Sequence, residues 1–501
     1  MKETITQAVG RHAGEQPHRT ALTDGITSLS WSEVKSWMDD AAGWLSDLGL
    51  PRGASVLGWL PNCLEWYLIR LACEQAGLFW VPVPASQGRH ELTSILERTR
   101  PSVLVTKDHF RDHDYSVEAD EICGQLGLAP LRITVPDDRL LCLKGSVSGE
   151  SAPLRLEEYA HALPTSGSEG MPKLAVYTLS AACERAHAQA QLLELSREDV
   201  ILILSPGTGP ARVGWLAAPI AGACVVVMPK FGIDAALGLI HSTRATMVCG
   251  TPAQLALLAA KLHAVDISSV RIWYAVGSVM PPTLAEDLET LTKGIVVSNY
   301  GGSDFGGWAA PDLDAAAQIR HNTVGRPRGG TEFRIIDDHG NDVSFGYSGE
   351  LIGRGPCCVS DYLGEEGWQA WRDGWFHTGD LASFDDDGNL VIVGRLKEVI
   401  DRGGDKVSPV EIEALLRTHS DIAQVAVIGI PDSMLGERIC ACVVPVQGKH
   451  PPDLDILRYY LDDQGLAHYK IPDRLVVLES LPIVGDKVDR RALALIAGSL
   501  T

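Results

Sequence analysis

The chain has 501 residues, a formal net charge of −21, a hydrophobic fraction of 45% and a charged fraction of 21%. This length is enough for two or more domains, and the composition is typical of a soluble globular protein. The negative charge argues against nucleic acid and an anionic membrane as partners, because both would be repelled.

The N-terminal residues 1–16 lack the apolar segment of a secretory signal. The longest apolar stretch, residues 213–228, is interrupted by Pro219 and Gly222, so it predicts a buried helix followed by a strand rather than a membrane span. The 11 cysteines lack a C-x-x-C motif and the spacing of a zinc site. We therefore expect reduced, buried cysteines in a cytoplasmic protein.

Helical and strand patterns alternate through the first 330 residues, which predicts helices packed on mainly parallel sheets. Helices are predicted over 32–48 and 64–76. Strands are predicted over 54–60, 79–83, 102–106, 174–177, 200–204, 223–228, 246–249, 271–274 and 294–298.

Residues 165–173, with the sequence TSGSEGMPK, form a glycine- and hydroxyl-rich loop before a predicted strand. Gly167 and Gly170 allow backbone N–H groups to turn inward, and hydroxyls and a lysine add donors and positive charge. The loop is not a P-loop, because Pro172 rather than a glycine precedes its lysine and cannot sit inside a helix. The pattern suits a polyphosphate, with an ordinary solvated loop as the alternative.

After about residue 330 the pattern changes to β-hairpins. Strands are predicted over 331–336, 349–353, 381–384 and 390–393. The acidic segment 385–388 lacks the alternate ligand spacing of an EF-hand and is predicted as a hairpin turn rather than a calcium site. We expect a β-rich subdomain over about 330–395.

A separate α+β domain is predicted over 396–501, after an N-terminal domain of 1–395. Its predicted elements are the helices 409–417 and 453–463 and the strands 424–429 and 474–478. The break in pattern near Lys397 predicts a hinge between the two domains.

Six further segments carry polar and glycine residues suited to a nucleotide site. They are AVGS at 275–278, NYGGSD at 299–304, WFHTGD at 375–380, GR at 394–395, DRGGDKVSPVEIE at 401–413 and LPIVGDKVDRR at 481–491. Together with the 165–173 loop, and in this order, they resemble the adenylate-forming superfamily, which includes acyl-CoA synthetases, peptide-synthetase adenylation domains and luciferase. The resemblance runs the whole length and implies an α/β fold with a large N-terminal domain of layered sheets and a small, mobile C-terminal domain.

The resemblance implies a site for ATP or acyl-AMP with Mg²⁺. In it Tyr300 backs the adenine, Ser303 meets the α-phosphate as a catalytic residue, and Asp304 holds the metal. Asp304 is one methylene shorter than the family's usual glutamate. The other residues implied at the nucleotide are Thr165, Ser166, Gly167, Ser168, Glu169, Gly170, Lys173, Gly277, Ser278, Asn299, Gly301 and Ile392.

Three residues near and beyond the hinge complete the implied nucleotide site. Asp380 accepts hydrogen bonds from both ribose hydroxyls, and Arg395 contacts the ribose or a phosphate. Lys487 is the implied catalytic lysine that bridges the substrate carboxylate and the phosphate. The segment before Lys487 is one residue tighter than the family pattern and has Asp486 where a glycine is usual.

The resemblance also implies a CoA tunnel and an acyl pocket. Arg402, Gly403 and Gly404 belong to the loop that closes the tunnel, where glycines let a narrow thiol arm pass. The implied acyl pocket contains Gly207, Gly209, Arg212, Trp215, Gly301 and Gly302. Residues 205–212 contain no acid to hold an α-amine and no aromatic or histidine gate, so we expect a bulky or cyclic acid rather than an amino acid.

The implied activity is an ATP-dependent acyl-CoA ligase acting on a small-molecule acid. Three alternatives remain open: an enzyme that only converts preformed acyl-AMP to the thioester, an adenylate ligase that loads a carrier protein, and a non-catalytic acyl-adenylate-binding protein. Glu169, Asp304 and the tighter segment before Lys487 favour the first of these alternatives over the others, because all three bear on ATP use. The oligomeric state is not indicated by the sequence.

Overall fold

The computed structural model describes residues 2–137, 140–143, 158–165, 172–205, 208, 212–403, 405–432, 434–484 and 487–499. The chain forms two compact units. The first comprises Met1–Phe333 and Gly353–Phe376, and the second comprises Arg334–Ile352 and His377–Thr501. Across the described residues, every helix is too short or too polar to cross a lipid bilayer.

The α-helices follow one another along the chain with the bounds given next. They are α1 (Ile5–Glu15), α2 (Trp31–Asp47), α3 (Leu64–Ala76), α4 (Arg89–Thr99), α5 (Tyr115–Leu126), α6 (Leu179–Leu192), α7 (Ala218–Ala221), α8 (Ile233–Thr243), α9 (Pro252–Ala259), α10 (Pro282–Thr292), α11 (Ala317–Asn322), α12 (Pro409–Leu416), α13 (Leu454–Asp463) and α14 (Arg490–Ser499). A π-helix spans Val213–Ala217, and short 3₁₀ helices span Leu262–Ala264, Glu365–Ala370, Leu396–Glu398 and His468–Lys470.

The strands of the first 331 residues are β1 (Thr20–Thr23), β2 (Ser28–Ser30), β3 (Ser55–Leu60), β4 (Phe79–Pro84), β5 (Val103–Lys107), β6 (His109–Phe110), β7 (His113–Asp114), β8 (Leu131–Val135), β9 (Tyr159–Thr165), β10 (Lys173–Thr178), β11 (Val200–Ile203), β12 (Cys224–Val227), β13 (Met247–Gly250), β14 (Ile272–Val276), β15 (Ile295–Gly301), β16 (Trp308–Ala310) and β17 (Arg326–Arg328).

The later strands are β18 (Glu332–Ile336), β19 (Gly349–Arg354), β20 (Asp361–Tyr362), β21 (Trp371–Arg372), β22 (Trp375–Phe384), β23 (Leu390–Arg395), β24 (Ile400–Arg402), β25 (Asp405–Val407), β26 (Ile422–Asp432), β27 (Gly436–Pro445), β28 (Arg474–Val477), β29 (Ile483–Val484) and β30 (Lys487–Val488).

Two large sheets form the first unit. One has nine strands in the order β17-β16-β15-β14-β13-β11-β12-β1-β2, and the other has seven in the order β20-β10-β9-β4-β3-β5-β8. The strands β12, β11, β13, β14 and β15 are mutually parallel. Their residues are almost all buried, as expected for parallel strands that helices cover on both faces.

Helix boundaries in this unit follow local capping chemistry. Ser30 and Glu33 form a reciprocal capping box at the start of α2. Helix α3 ends at Gly77, which has the left-handed φ of 69° that glycine accepts without strain. These local signals explain why both helices lie within one residue of their predicted bounds.

The remaining strands form smaller sheets. The hairpin of β22 and β23 belongs to a five-stranded sheet with β18, β19 and β21, and another five-stranded sheet contains β24 to β28. The turn at 385–388 is closed by a hydrogen bond from the N–H of Gly388 to the carbonyl of Asp385, at 2.9 Å. This segment is therefore the hairpin turn that the sequence predicts.

The α/β fold class predicted from the sequence is confirmed. The division at residue 395 stays a prediction, because the compact units divide the chain at other positions, within the β-rich segment. Ten cysteines are buried, whereas the side chain of Cys142 is exposed, so the prediction of a buried position is wrong for this residue. Residues 140–143 form neither helix nor strand, and Leu141 rather than Cys142 is the residue of this segment that is buried in the core.

Candidate active site

The turn at residues 302–305, hereafter the 302–305 turn, is held by two tyrosines from distant strands. The hydroxyl of Tyr177 donates to the backbone carbonyl of Ser303 at 2.7 Å, and the hydroxyl of Tyr362 donates to that of Asp304 at 2.5 Å. Sequence reasoning missed both tyrosines, since neither Tyr177, at the end of an apolar segment, nor Tyr362, in a two-residue strand, belongs to a motif. The two bonds fix the backbone that carries the predicted catalytic serine and metal ligand.

The end of β15 lies beside the end of β14 because the two strands are parallel. Their register pairs Val276 with Asn299, which brings Gly277 and Ser278 next to Asn299 and Tyr300. The side-chain oxygen of Asn299 is buried and has no hydrogen-bond partner among the described residues. A buried acceptor normally has a donor, so this position suits an N–H group of a bound nucleobase.

Tyr300 and the two glycines that follow it are closely packed. The ring of Tyr300 meets that of Phe333 edge to face, with centroids 5.9 Å apart. A Cβ at Gly301 would lie 2.9 Å from the carbonyl oxygen of Gly307, and one at Gly302 would lie 2.4 Å from Oδ1 of Asp304. Both glycines thus permit close approach of the protein's own atoms, and their assignment to an acyl pocket stays a prediction.

Arg212 directly precedes the π-helix, and Trp215 is its middle residue. Arg212 donates from Nη2 to the hydroxyl of Tyr177 at 3.1 Å and stacks on its ring with Cζ 4.9 Å from the centroid. Trp215 is buried between the ring of His161 and the guanidinium of Arg70, at 5.0 and 5.1 Å. Inserted π-turns are frequent at functional sites, and this one positions Arg212 beside the 302–305 turn.

The histidine in this cluster is neutral. His161 is buried and stacks on Tyr177 with centroids 5.2 Å apart. Burial, and then the charges of Arg70 and Arg212, hold its pKa well below the ordinary value. The positive charge of the cluster therefore comes from its arginines alone.

Only the two ends of the predicted phosphate loop lie within the described residues. Thr165 ends β9 and Lys173 begins β10, and the two residues are paired in the antiparallel ladder. Ser166, Gly167, Ser168, Glu169 and Gly170 lie outside the described residues, as do Gly207 and Gly209 of the predicted acyl pocket and Gly404 of the predicted tunnel loop.

In the second unit the predicted ribose ligands are neighbours. Asp380 and Arg395 are paired across the β22–β23 ladder, and Nε of Arg395 lies 2.7 Å from Oδ1 of Asp380. The hydroxyl of Thr378 accepts from the N–H of Asp380 at 3.0 Å. Ile392 lies further along β23, opposite Ala382. The hairpin thus brings together three residues that the sequence assigns to the nucleotide.

The predicted tunnel loop is a tight hairpin in the second unit. Gly403 has a φ of +66° and donates its N–H to the carbonyl of Leu435 at 2.7 Å. Arg402 forms two bonds to the carboxylate of Asp473, at 2.7 and 3.0 Å. Burial acts to raise the pKa of Asp473, but the hydrogen bond from Arg402 and that from the N–H of Ile439 leave it lowered. Arg402 therefore has a structural partner that the sequence did not predict.

Lys487 opens the second strand of the β29–β30 hairpin, where its backbone is paired with Val484. Its side chain lies outside the described residues. Arg490, three residues later, pairs with Glu413 at 2.8 Å and with Glu398 at 3.2 Å. Sequence reasoning missed Arg490, which fixes the start of α14 directly after the lysine hairpin.

Asp304, the predicted ligand of Mg²⁺, lies in the 302–305 turn of the first unit. Its backbone is fixed by Tyr362, its side chain is half-buried, and oxygen ligands are those that Mg²⁺ prefers. Among the described residues, those around Asp304 included, no group of three or more His, Cys, Asp or Glu side chains is arranged to hold a metal. Proteins often bind Mg²⁺ through one carboxylate together with the phosphates of a substrate. The carboxylate of Asp304 therefore fits a site for Mg²⁺ that a bound nucleotide would complete.

A cavity of about 990 Å³ lies elsewhere in the first unit. It is lined mainly by α6 and by residues 312–314 and 327–330. None of the described residues assigned to the nucleotide, acyl or metal sites lines this cavity.

Comparison with known proteins decides the family. The model for AMP-binding enzymes matches residues 9–363, and the model for the C-terminal domain of AMP-binding enzymes matches residues 411–485. The chain belongs to the AMP-binding enzyme family. The predicted membership of the adenylate-forming superfamily is thus confirmed, and so is its activity as an AMP-forming acid–thiol ligase.

Two relatives and one solved structure are similar over nearly the whole chain. The 2-hydroxy-7-methoxy-5-methyl-1-naphthoate–CoA ligase of Streptomyces carzinostaticus is 31% identical over 99% of this chain and 94% of the relative. The indoleacetate–CoA ligase of Aromatoleum aromaticum is 31% identical over 95% of both chains. The ATP-bound crystal structure of MatB from Rhodopseudomonas palustris has a TM-score of 0.89 at 23% identity and covers 100% of both chains, which shows the shared fold.

Proposed function

We propose that the protein converts a bulky aromatic or cyclic carboxylic acid to its CoA thioester through an acyl-AMP intermediate. The observation that carries the nucleotide part is the unpaired, buried oxygen of Asn299 at a strand edge shared with Gly277 and Tyr300. The acid class is supported by the two relatives named for bicyclic aromatic acids. Their names also support the use of CoA.

In the first half-reaction, a carboxylate oxygen attacks the α-phosphorus of ATP and pyrophosphate leaves. No side chain of the protein acts as a nucleophile in this step. Fixed groups lower the activation barrier by stabilising the charge that develops in the transition state. The tyrosine bonds to the 302–305 turn keep the Ser303 hydroxyl and the Asp304 carboxylate in place. Mg²⁺, when bound by Asp304 and the phosphates, would neutralise phosphate charge. Lys487 would bring positive charge to the reacting carboxylate.

In the second half-reaction, the CoA thiol attacks the acyl carbon and AMP leaves as the mixed anhydride breaks. We assign passage of the thiol to the hairpin of Arg402, Gly403 and Gly404, and access to a rotation at Lys397, as in the family. The substrates ATP and CoA are those of the cytoplasm, where we propose that the enzyme works.

A panel of acids tests this proposal. Purified protein is incubated with ATP, Mg²⁺ and CoA and with naphthoic, indole-carboxylic, benzoic and linear aliphatic acids, and both AMP and acyl-CoA are quantified. We expect equal amounts of AMP and thioester, with bicyclic aromatic acids preferred by kcat/KM over aliphatic acids of equal carbon number. Preference for an aliphatic acid would contradict the acid class.

Parallel reactions separate the alternatives. Synthetic acyl-AMP with CoA, without ATP, reports the thioester step alone, and a phosphopantetheinylated carrier protein replaces CoA in another reaction. Thioester only from acyl-AMP would indicate an enzyme that lacks the ATP step. If the carrier protein is acylated and CoA is not, the enzyme is a carrier-loading ligase. If none of the reactions shows turnover, the protein is a binding protein.

A further inference from the structure

Two guanidinium groups in the interior of the first unit have no acidic partner among the residues that the structure describes. Arg185, on α6, and Arg212, beside the π-helix, have exposed fractions of 5% and 6%. Neither forms an ion pair with a carboxylate of the described residues. Buried charges are normally paired, because moving an ion out of water costs several kcal/mol.

Arg185 is only partly satisfied by neutral groups. Its Nη1 donates to the carbonyl of Gly306 at 3.2 Å, and its Cζ lies 4.2 Å from the ring centroid of Trp308. Its Nε is buried without a hydrogen-bond partner. Burial, and then repulsion from Arg212, lower the pKa of Arg185 to about 10, so the group remains charged at neutral pH.

The two arginines meet around one tyrosine. Arg212 bonds to the hydroxyl of Tyr177, while Gly306, the partner of Arg185, packs against the same ring so closely that a Cβ there would lie 2.8 Å from Cε1 of Tyr177. Tyr177 in turn holds the carbonyl of Ser303. The arginine pair therefore lies directly behind the turn that carries the predicted catalytic serine.

Other donors and acceptors around the pair are also left without partners. They are Nδ1 of His161, Nε1 of Trp215 and Oε1 of Gln189. Elsewhere in the same unit, buried arginines have acidic partners: Arg320 makes two bonds to Glu289, at 2.8 and 2.9 Å, and Arg70 pairs with Glu74 at 2.8 Å. The arginine pair is thus a donor-rich, positively charged interior site without its anion.

We propose that Arg185 and Arg212 bind a second anionic oxygen group of the acid substrate, remote from the carboxylate that is activated. The substrate class is then an aromatic acid that carries a second carboxylate or an equivalent ionised oxygen. This inference rests on the proposed function and deepens it, since it assigns the specificity of the same acyl site. Charge-assisted hydrogen bonds give most of their energy where water is excluded, as it is here.

Matched acids test the preference. The rate of acyl-CoA formation is measured with 2-naphthoate and with a series of naphthalene dicarboxylates that differ in the position of the second carboxylate. We expect at least one dicarboxylate to have a kcat/KM about 10- to 100-fold above that of 2-naphthoate. A series in which every dicarboxylate is a poorer substrate than 2-naphthoate would overturn the inference and leave the proposed function standing.

Variants test the residues. Arg185→Met and Arg212→Met are expected to reduce the preference for the dicarboxylate about tenfold or more, with a smaller change for 2-naphthoate, and Arg185→Lys is expected to retain part of it. Equal losses with both acids in the two Met variants would show that the arginines act on the activated carboxylate or on the fold, and would overturn the inference.

Thermal unfolding supplies the structural control. Arg185→Met is expected to leave the Tm unchanged or raise it, because it removes an unpaired buried charge. Arg320→Met is expected to lower the Tm, because the half-buried carboxylate of Glu289 loses both hydrogen bonds from Arg320 and keeps only its contact with His321 and the hydrogen bond from the N–H of Val296. If no acid is converted, the proposed function fails. The arginine site is then judged by Tm alone: dicarboxylates that raise the Tm of the wild type and of Arg185→Met equally would refute it.

Discussion

At the scale of single residues, His161 links the arginine cluster to the pH dependence of stability. The imidazole is buried, and burial followed by the charges of Arg70 and Arg212 lowers its pKa. Below pH ~6.5 the unfolded chain binds a proton that the folded chain does not, so the free energy of unfolding falls as the pH decreases. The expected contribution is about 1.4 kcal/mol per pH unit for one such histidine.

Replacement of His161 by Phe tests this linkage. The variant is expected to lose less stability than the wild type between about pH 6.5 and 5, as measured by urea unfolding at several pH values. Part of the slope remains, because burial also lowers the pKa of His12. His263→Phe, at an exposed position, is the control for loss of an imidazole. Parallel pH profiles for the wild type and His161→Phe would contradict the assignment of a neutral, buried His161.

Asp380 carries a second prediction at this scale. Its carboxylate is 10% exposed and is held by Arg395, so it is oriented before any nucleotide binds. Loss of hydrogen bonds to a charged acceptor costs about 1.5–3 kcal/mol, so Asp380→Asn is expected to raise the KM for ATP about 10- to 100-fold. Asp386→Asn, in the exposed turn of the same hairpin, is the matched control.

The sugar of the nucleotide separates the two causes of this loss. With 2′,3′-dideoxy-ATP, the wild type and Asp380→Asn are expected to have nearly equal KM values, because neither ribose hydroxyl is present. An undiminished difference with the dideoxy nucleotide would mean that Asp380 acts by holding Arg395 and not by binding ribose.

At the scale of elements, local patterns predicted what depends on neighbours in sequence. The helical pattern of the sequence predicts a helix over Leu64–Ala76, and α3 has these bounds because Gly77 caps it in the left-handed conformation. The partners of the 302–305 turn could not be predicted this way, since Tyr177 lies 126 residues from Ser303. The π-helix at Val213–Ala217 was missed as well, because its residues read as an ordinary apolar helix.

The tyrosine bonds to the turn give a prediction about this element. Tyr362→Phe leaves the carbonyl of Asp304 without its donor, which is expected to cost about 1–3 kcal/mol of stability and to raise the KM for Mg·ATP. Tyr115→Phe removes a similar bond, from a hydroxyl to the carbonyl of Ala85 at 2.8 Å, in another part of the same unit.

Tm and pyrophosphate exchange are measured for both tyrosine variants. Both are expected to lose stability, but only Tyr362→Phe is expected to change the dependence of exchange on Mg·ATP. A change of the same size in Tyr115→Phe would show that exchange responds to general destabilisation and not to the position of the turn.

At the scale of the whole molecule, the order of motifs predicted the family and the fold class, while the limits of the compact units were not predictable. The motifs contain the residues that contact the substrates, so the residue types and the order of the motifs can be recognised in the sequence. The units are defined by packing, and all three chain crossings lie inside the β-rich segment, within strands whose pattern does not change there. Binary patterning along a strand carries no signal for such a boundary.

One unit contains residues for both half-reactions, which gives the last prediction. The second unit carries Lys487, assigned to acyl-AMP formation, and Gly403, assigned to passage of the CoA thiol. Lys487→Ala is expected to reduce pyrophosphate exchange at least about 100-fold, because it removes a positive charge that stabilises the transition state. The conversion of synthetic acyl-AMP to thioester is expected to stay nearly intact in this variant.

Gly403→Val is expected to have the opposite effect: it should impair the thioester step and spare pyrophosphate exchange, because the valine side chain adds bulk in the path of the thiol. Gly388→Val is the matched control for backbone strain, since both glycines have a positive φ, of +66° and +79°, and Gly388 lies in an open hairpin turn. If Gly403→Val and Gly388→Val impair the thioester step equally, strain accounts for the loss; if Lys487→Ala impairs both steps equally, the lysine serves the unit's structure and not the first half-reaction.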